Sequence, residues 1–138
     1  MGKTINDLKV GDKAFVEKTI SETDVYLFAG ISGDLNPAHI NQVKSEKTIF
    51  KGRIAHGILV SGLISAVLGM QLPGPGTIYL GQELKFVAPV KIGDTVRAEV
   101  EVIEIISEKN RIKLKTTCSN QEGKIVISGE ALVMPPKA

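Results

Sequence analysis

Strict alternation of apolar and polar residues marks the last third of the chain. In the stretch 94–106, Val96, Ala98, Val100 and Val102 alternate with Arg97, Glu99 and Glu101. In 111–119, Ile112, Leu114, Thr116 and Cys118 alternate with Lys113, Lys115 and Thr117. In 124–133, Ile125, Ile127, Gly129, Ala131 and Val133 share one parity. A period of two means half-buried strands. Gly93-Asp94, Lys109-Asn110 and Glu122-Gly123 punctuate them, and connections this short join antiparallel neighbours. Residues 77–88 predict a further strand, with Leu84 and Phe86 facing one way and Lys85 the other. Residues 13–20, after the Val10-Gly11-Asp12 turn signal, predict another.

Between these strands the period changes. Ser21-Glu22-Thr23-Asp24 has the form of a capping box, and a short helix should follow through Val25, Leu27, Phe28 and Ala29. Ser32-Gly33-Asp34-Leu35-Asn36-Pro37 breaks it, and a polar helical piece is expected over 42–47. Residues 58–70 are apolar on nearly every side, so that helix should be enclosed on several faces. Its only polar side chains, Ser61 and Ser65, are four apart and share one face. A sheet with one wet and one dry face needs a cover, and this helix is the candidate long and apolar enough. The expected architecture is α+β: a curved antiparallel sheet wrapped around a central apolar helix, the hot-dog fold. No repeat or linker divides the chain, so 1–138 reads as one domain.

Charge sharpens this picture. The 17 basic and 15 acidic residues all lie outside the window from Ile54 to Gln82. A membrane span would need about 20 consecutive apolar residues. Here Ser61, Gly62, Ser65 and Gly69 interrupt the apolar run, and Gln71-Leu72-Pro73-Gly74-Pro75-Gly76 ends it. The amino terminus has no apolar signal core and no acceptor for myristoylation. A membrane location is therefore not expected, and a cytoplasmic one is. A net charge of +2 is too small for a nucleic-acid-coating surface, and 4% aromatic residues with no Trp argue against base stacking. A single Cys excludes an internal disulfide framework.

Candidate chemistry concentrates around the two histidines, His39 and His56. Ser32-Gly33-Asp34-Leu35-Asn36-Pro37-Ala38-His39 packs an acid, an amide and an imidazole around a rigid proline. Asp34 and His39 on one water can divide base and acid roles near neutral pH. The plainer reading is a turn, since Ser-Gly-Asp and Asn-Pro are common turn formers. In Ile54-Ala55-His56-Gly57-Ile58-Leu59, Gly57 stands where the apolar helix begins. Its N–H is suited to a developing oxyanion, and a simple helix cap is the equally good alternative. Two histidines without a Cys cluster do not make a zinc site, so no metal is expected.

The string Phe28 to His39, with Ser45 six residues on, resembles the hydratase-2 motif of the MaoC-like, (R)-specific enoyl-CoA hydratases. Ile54-Ala55-His56-Gly57, the run Gln71 to Gln82 and the run Phe86 to Asp94 are similar to that family too. The resemblance spans about Val10 to Val133 and is closest to the short single-domain members. Ala38 departs from the usual Leu, Ile or Val, which alters packing but keeps the acid and the imidazole.

The resemblance implies a cofactor-free lyase that adds water reversibly to a trans-2-enoyl-CoA, giving the (3R)-3-hydroxyacyl-CoA. Asp34 and His39 match the catalytic pair, and Gly57 N–H the oxyanion donor. Ser65 and Asn36 are the candidate substrate-binding residues, although Asn36 reads better as a loop-shaping residue. The implied partner is an acyl-CoA thioester, and the implied assembly a homodimer or higher oligomer, with the CoA arm in a groove between subunits. Lys51 and Arg53 flank the site in sequence and could meet CoA phosphates, but a solvated charged turn is the commoner fate of such residues. The acyl pocket is expected among Val60, Leu63, Ile64, Val67 and Leu68, with short to medium chains as substrates. A hot-dog thioesterase is the first competitor, and it lacks a carboxylate on the central helix. A non-catalytic acyl-CoA binding module is the second.

Overall fold

The computed structural model describes residues 1–138. Five strands form one antiparallel sheet: β1 (Lys13–Thr19), β2 (Ile78–Phe86), β3 (Thr95–Ile106), β4 (Arg111–Ser119) and β5 (Ile125–Met134), in the spatial order β1-β3-β4-β5-β2. The hairpins β3–β4 and β4–β5 follow from the turn signals between them. Val96, Ala98, Val100 and Val102 on β3 face the core without solvent contact, as do Ile112, Leu114, Thr116 and Cys118 on β4. That is the parity the alternation predicts. Burial pushes the Cys118 thiol up to about 12. A maleimide at pH 8 should therefore leave Cys118 unmodified in the folded protein and label it once urea unfolds the chain, since only a thiolate attacks.

Helix α1 (Glu22–Ser32) starts with the expected reciprocal cap: Ser21 Oγ accepts from Asp24 N–H at 3.1 Å, and Asp24 Oδ2 accepts from Ser21 N–H at 2.9 Å. It stops at Gly33, whose φ of +78° is the left-handed conformation that glycine adopts at least cost. Two single-turn helices follow, α2 (Pro37–Ile40) and α3 (Gln42–Ser45). The sequence reading has α3 two residues longer and lacks α2. Asn36 caps α2 with its Oδ1, and Pro37 sits in its first turn, where a missing N–H costs nothing.

Helix α4 (Gly57–Met70) lies across the dry face of the sheet, mainly on β3. Val60, Ile64, Val67 and Leu68 are buried there. The expectation of enclosure on several faces is corrected within the protomer. Ile58, Gly62, Ser65, Ala66 and Met70 are exposed on the opposite side, because no element of this chain covers it. The charge-free window thus comprises α4, its Pro/Gly exit and the first half of β2. No helix is long and apolar enough to cross a membrane.

Candidate active site

The loop between α1 and α2 is fixed at each polar group of Asp34 except one carboxylate oxygen. Ser32 Oγ donates to Phe28 O at 2.7 Å and accepts from Asp34 N–H at 3.1 Å. Asp34 Oδ1 accepts from Asn36 N–H at 3.2 Å. His56 reaches back from the start of α4 and donates Nε2–H to the Asp34 carbonyl at 3.0 Å. The second carboxylate oxygen takes part in no hydrogen bond within the chain and is exposed.

His39 is oriented as firmly. The Ile54 peptide docks α2 at two points: its N–H donates to Ala38 O at 3.1 Å, and its carbonyl meets His39 Nδ1 at 2.7 Å. A carbonyl only accepts, so Nδ1 carries the proton. In the neutral ring Nε2 then holds a lone pair. Asp34, His39 and His56 bring one ligand atom each within 4.8 Å of one another. Two hydrogen bonds of about 2.8 Å to a single water span about 4.6 Å at a tetrahedral angle, a span compatible with this upper bound.

His39 also faces a cavity of about 370 Å³, walled mostly by apolar side chains. Gly57, at the first position of α4, lines the same cavity. No side chain caps α4, so its first-turn N–H groups keep their donor capacity and partial positive charge toward this space. A Cβ on Gly57 would lie 2.5 Å and 2.6 Å from Cδ1 and Cε1 of Phe86. A side chain at 57 would therefore have to displace the Phe86 ring, which the sequence reading assigned only to a strand face. Gly57→Ala should swing that ring into the cavity and lower kcat/KM by about tenfold or more. Phe86→Ala in the same chain should restore part of the loss. Steady-state kinetics of the two variants checks this, and unaltered activity of Gly57→Ala would remove the steric link.

The other candidates fall differently. Asn36 is engaged by its own loop, with Oδ1 on Ala38 N–H at 3.0 Å and N–H on Asp34. Ser65 is exposed on the open side of α4 and does not line the cavity. Two helical turns separate it from Gly57. Ser61 Oγ donates to Ile58 O at 2.7 Å. Of the expected pocket residues only Val60 lines the cavity. Its other wall is Phe86 to Val90, the segment leaving β2, which the sequence reading missed because contact between 54–58 and 86–90 is a tertiary fact. Arg53 is not free to hold a phosphate: its guanidinium donates to Glu22, Tyr26 and Gln42, tying α1 and α3 to the strand-like approach to α4. The Glu22 hydrogen bond holds the guanidinium above its usual range. Lys51 is exposed and in the left-handed region, with φ +56°.

This arrangement has relatives. The MaoC-like domain matches residues 9–124. The chain belongs to the MaoC-like family. An (R)-specific enoyl-CoA hydratase of Rhodospirillum rubrum is 58% identical over 94% of this MaoC-like chain and 90% of its own length. A 3-hydroxybutyryl-CoA dehydratase of Methylorubrum extorquens is 51% identical over 95% and 83%. The unliganded R-hydratase PhaJ1 of Pseudomonas aeruginosa superposes with a TM-score of 0.94 at 48% identity, covering 99% of this chain and 88% of that one. The hot-dog architecture expected from alternation and the central helix is thus the fold this MaoC-like chain shares with solved R-hydratases.

Proposed function

We propose that this protein is an (R)-specific enoyl-CoA hydratase, a hydro-lyase that adds water reversibly to trans-2-enoyl-CoA. The carrying observation is the convergence of the Asp34 carboxylate and the His39 imidazole beside a dry cavity that also receives the start of α4. The free carboxylate oxygen and His39 Nε2 both accept, so a water between them directs its own lone pair at the substrate. That oxygen bonds to C3 while the pair takes one of the water's protons. Electrons of the C2=C3 bond move toward the thioester oxygen, where Gly57 N–H stabilises the developing charge. The pair returns one proton to C2, so the sum is one water across one double bond. Asp34 and His39 share the base and acid roles as a coupled unit.

The apolar wall suits an acyl chain, and the cavity volume suits short to medium lengths. Asn36 serves the loop, and Ser65 enters the substrate site only if a second subunit closes the open side of α4. We take the assembly to be a homodimer, supported by that uncovered helix face and by the exposed apolar residues Ile78 and Leu80 on the edge strand β2. Acyl-CoA thioesters are charged and do not cross membranes, which favours the cytoplasm as its location. Nothing in the chemistry requires a cofactor.

The test is purified protein on crotonyl-CoA. Loss of the conjugated enoyl absorbance without release of free thiol is expected. Thiol release at the same rate would favour a thioesterase, and saturable binding without either change a non-catalytic module.

A further inference from the structure

His56 stands at the N-cap of α4 but caps nothing: its side chain makes no bond to the helix's free N–H groups. Ser, Thr, Asp or Asn is the residue for that task. The ring is instead turned away from the helix and is 2% exposed. It stacks on His39 with centroids 3.8 Å apart and planes 28° from parallel. The Phe28 ring meets it edge-on at 4.8 Å and 61°. Its Nε2–H holds the Asp34 carbonyl, and its Nδ1 is buried without a partner. A buried, half-satisfied imidazole is costly to keep, so a stability role alone accounts poorly for it.

We propose that His56 is a positioning residue that sets the geometry between Asp34 and His39. One face of its ring fixes the rotation of the His39 imidazole, so that Nδ1 points to Ile54 and Nε2 to the shared water. Its N–H fixes the Asp34 peptide, and with it the carboxylate. One residue therefore ties both members of the pair to the first residue of the helix that supplies the oxyanion donor. A carbonyl only accepts, so the His56 Nε2 that meets Asp34 O carries a proton.

The inference rests on the hydratase reading. If the wild type lacks hydratase activity, that reading fails. If the wild type is active and the variants below are equally so, only this inference fails. His56→Gln keeps an N–H donor and loses the ring, whereas His56→Phe keeps a ring and loses the donor. Each should lower kcat for crotonyl-CoA by about ten- to a hundredfold, the scale on which displacement by about 1 Å acts. KM should stay within about threefold, since the cavity is untouched. Wild-type kcat in both variants, or a loss confined to KM, would overturn the assignment. A measurement on the unaltered protein stands beside this in case the variants do not fold. The ¹⁵N shifts of the two imidazoles should report His39 protonated at Nδ1 and His56 protonated at Nε2. A His56 protonated at Nδ1 and bare at Nε2 would overturn it.

Discussion

Asp34→Asn is expected to lower kcat for enoyl-CoA hydration by about 10²- to 10⁴-fold, the range for losing a general acid or base. The substitution is nearly isosteric. The amide oxygen can still accept from Asn36 N–H, and the main-chain bonds to Ser32 and His56 do not involve the changed atoms. What is lost is the carboxylate's charge and its capacity to take a proton. His39→Ala should have an effect of the same order, because it removes the imidazole that the Ile54 carbonyl orients through Nδ1. The double variant should lose little more than the worse single one, since two groups acting on one water act as a unit. Steady-state kinetics with matched melting curves decides it. A folded variant with kcat within about threefold of wild type would take that residue out of the mechanism.

Gly129→Val is expected to be the most damaging single change to stability outside the core. Gly129 lies on β5, paired with Leu84 of β2 and Thr116 of β4. A Cβ there would be driven into the main-chain carbonyl of Glu83, 2.8 Å from its carbon and 3.2 Å from Gln82 Nε2. Backbone cannot swing aside as a side chain can, so β2 must separate from β5. The same movement would strip the buried Thr116 hydroxyl of its bond from Gln82, which is 2.9 Å long. Overpacking of this kind costs about 3 kcal/mol or more, with an orphaned hydroxyl in addition. The melting temperature should fall by about 10 °C or more. A fall of less than about 2 °C would mean that the β2–β5 pairing absorbs the side chain.

Gly129 also illustrates where sequence reading stops. Alternation places it correctly on the inward parity of β5, with Ala131 and Val133, but a pattern of parities carries no information about how near the next strand's backbone comes. The same limit explains Gly57. Its position at the start of α4 is legible from the apolar run, whereas the Phe86 ring that a side chain there would displace comes from the end of β2. Inward residues of β3 and β4 are legible because parity alone decides their burial. The enclosure expected of α4 fails in the protomer because an apolar helix surface records that a cover is needed and not whether the same chain supplies it. Within the site, Asp34 and His39 are legible because six residues of loop hold both. His56 is visible in the sequence as the second histidine and as a member of the Ile54–Gly57 run, without a role of its own. Its stack on His39 depends on the fold bringing 56 back to 34 and 39. Arg53 shows the reverse case: its charge invited a phosphate, and the α1 and α3 side chains had already taken it.

In the proposed reaction one water, held by Asp34 and His39 from a single side, supplies both the hydroxyl and the proton. Hydration of crotonyl-CoA in D₂O, followed by assignment of both new stereocentres by NMR, tests it directly. The expected product carries a (3R)-hydroxyl with deuterium added at C2 on the same face. Addition of deuterium to the opposite face, or a (3S) product, would contradict it.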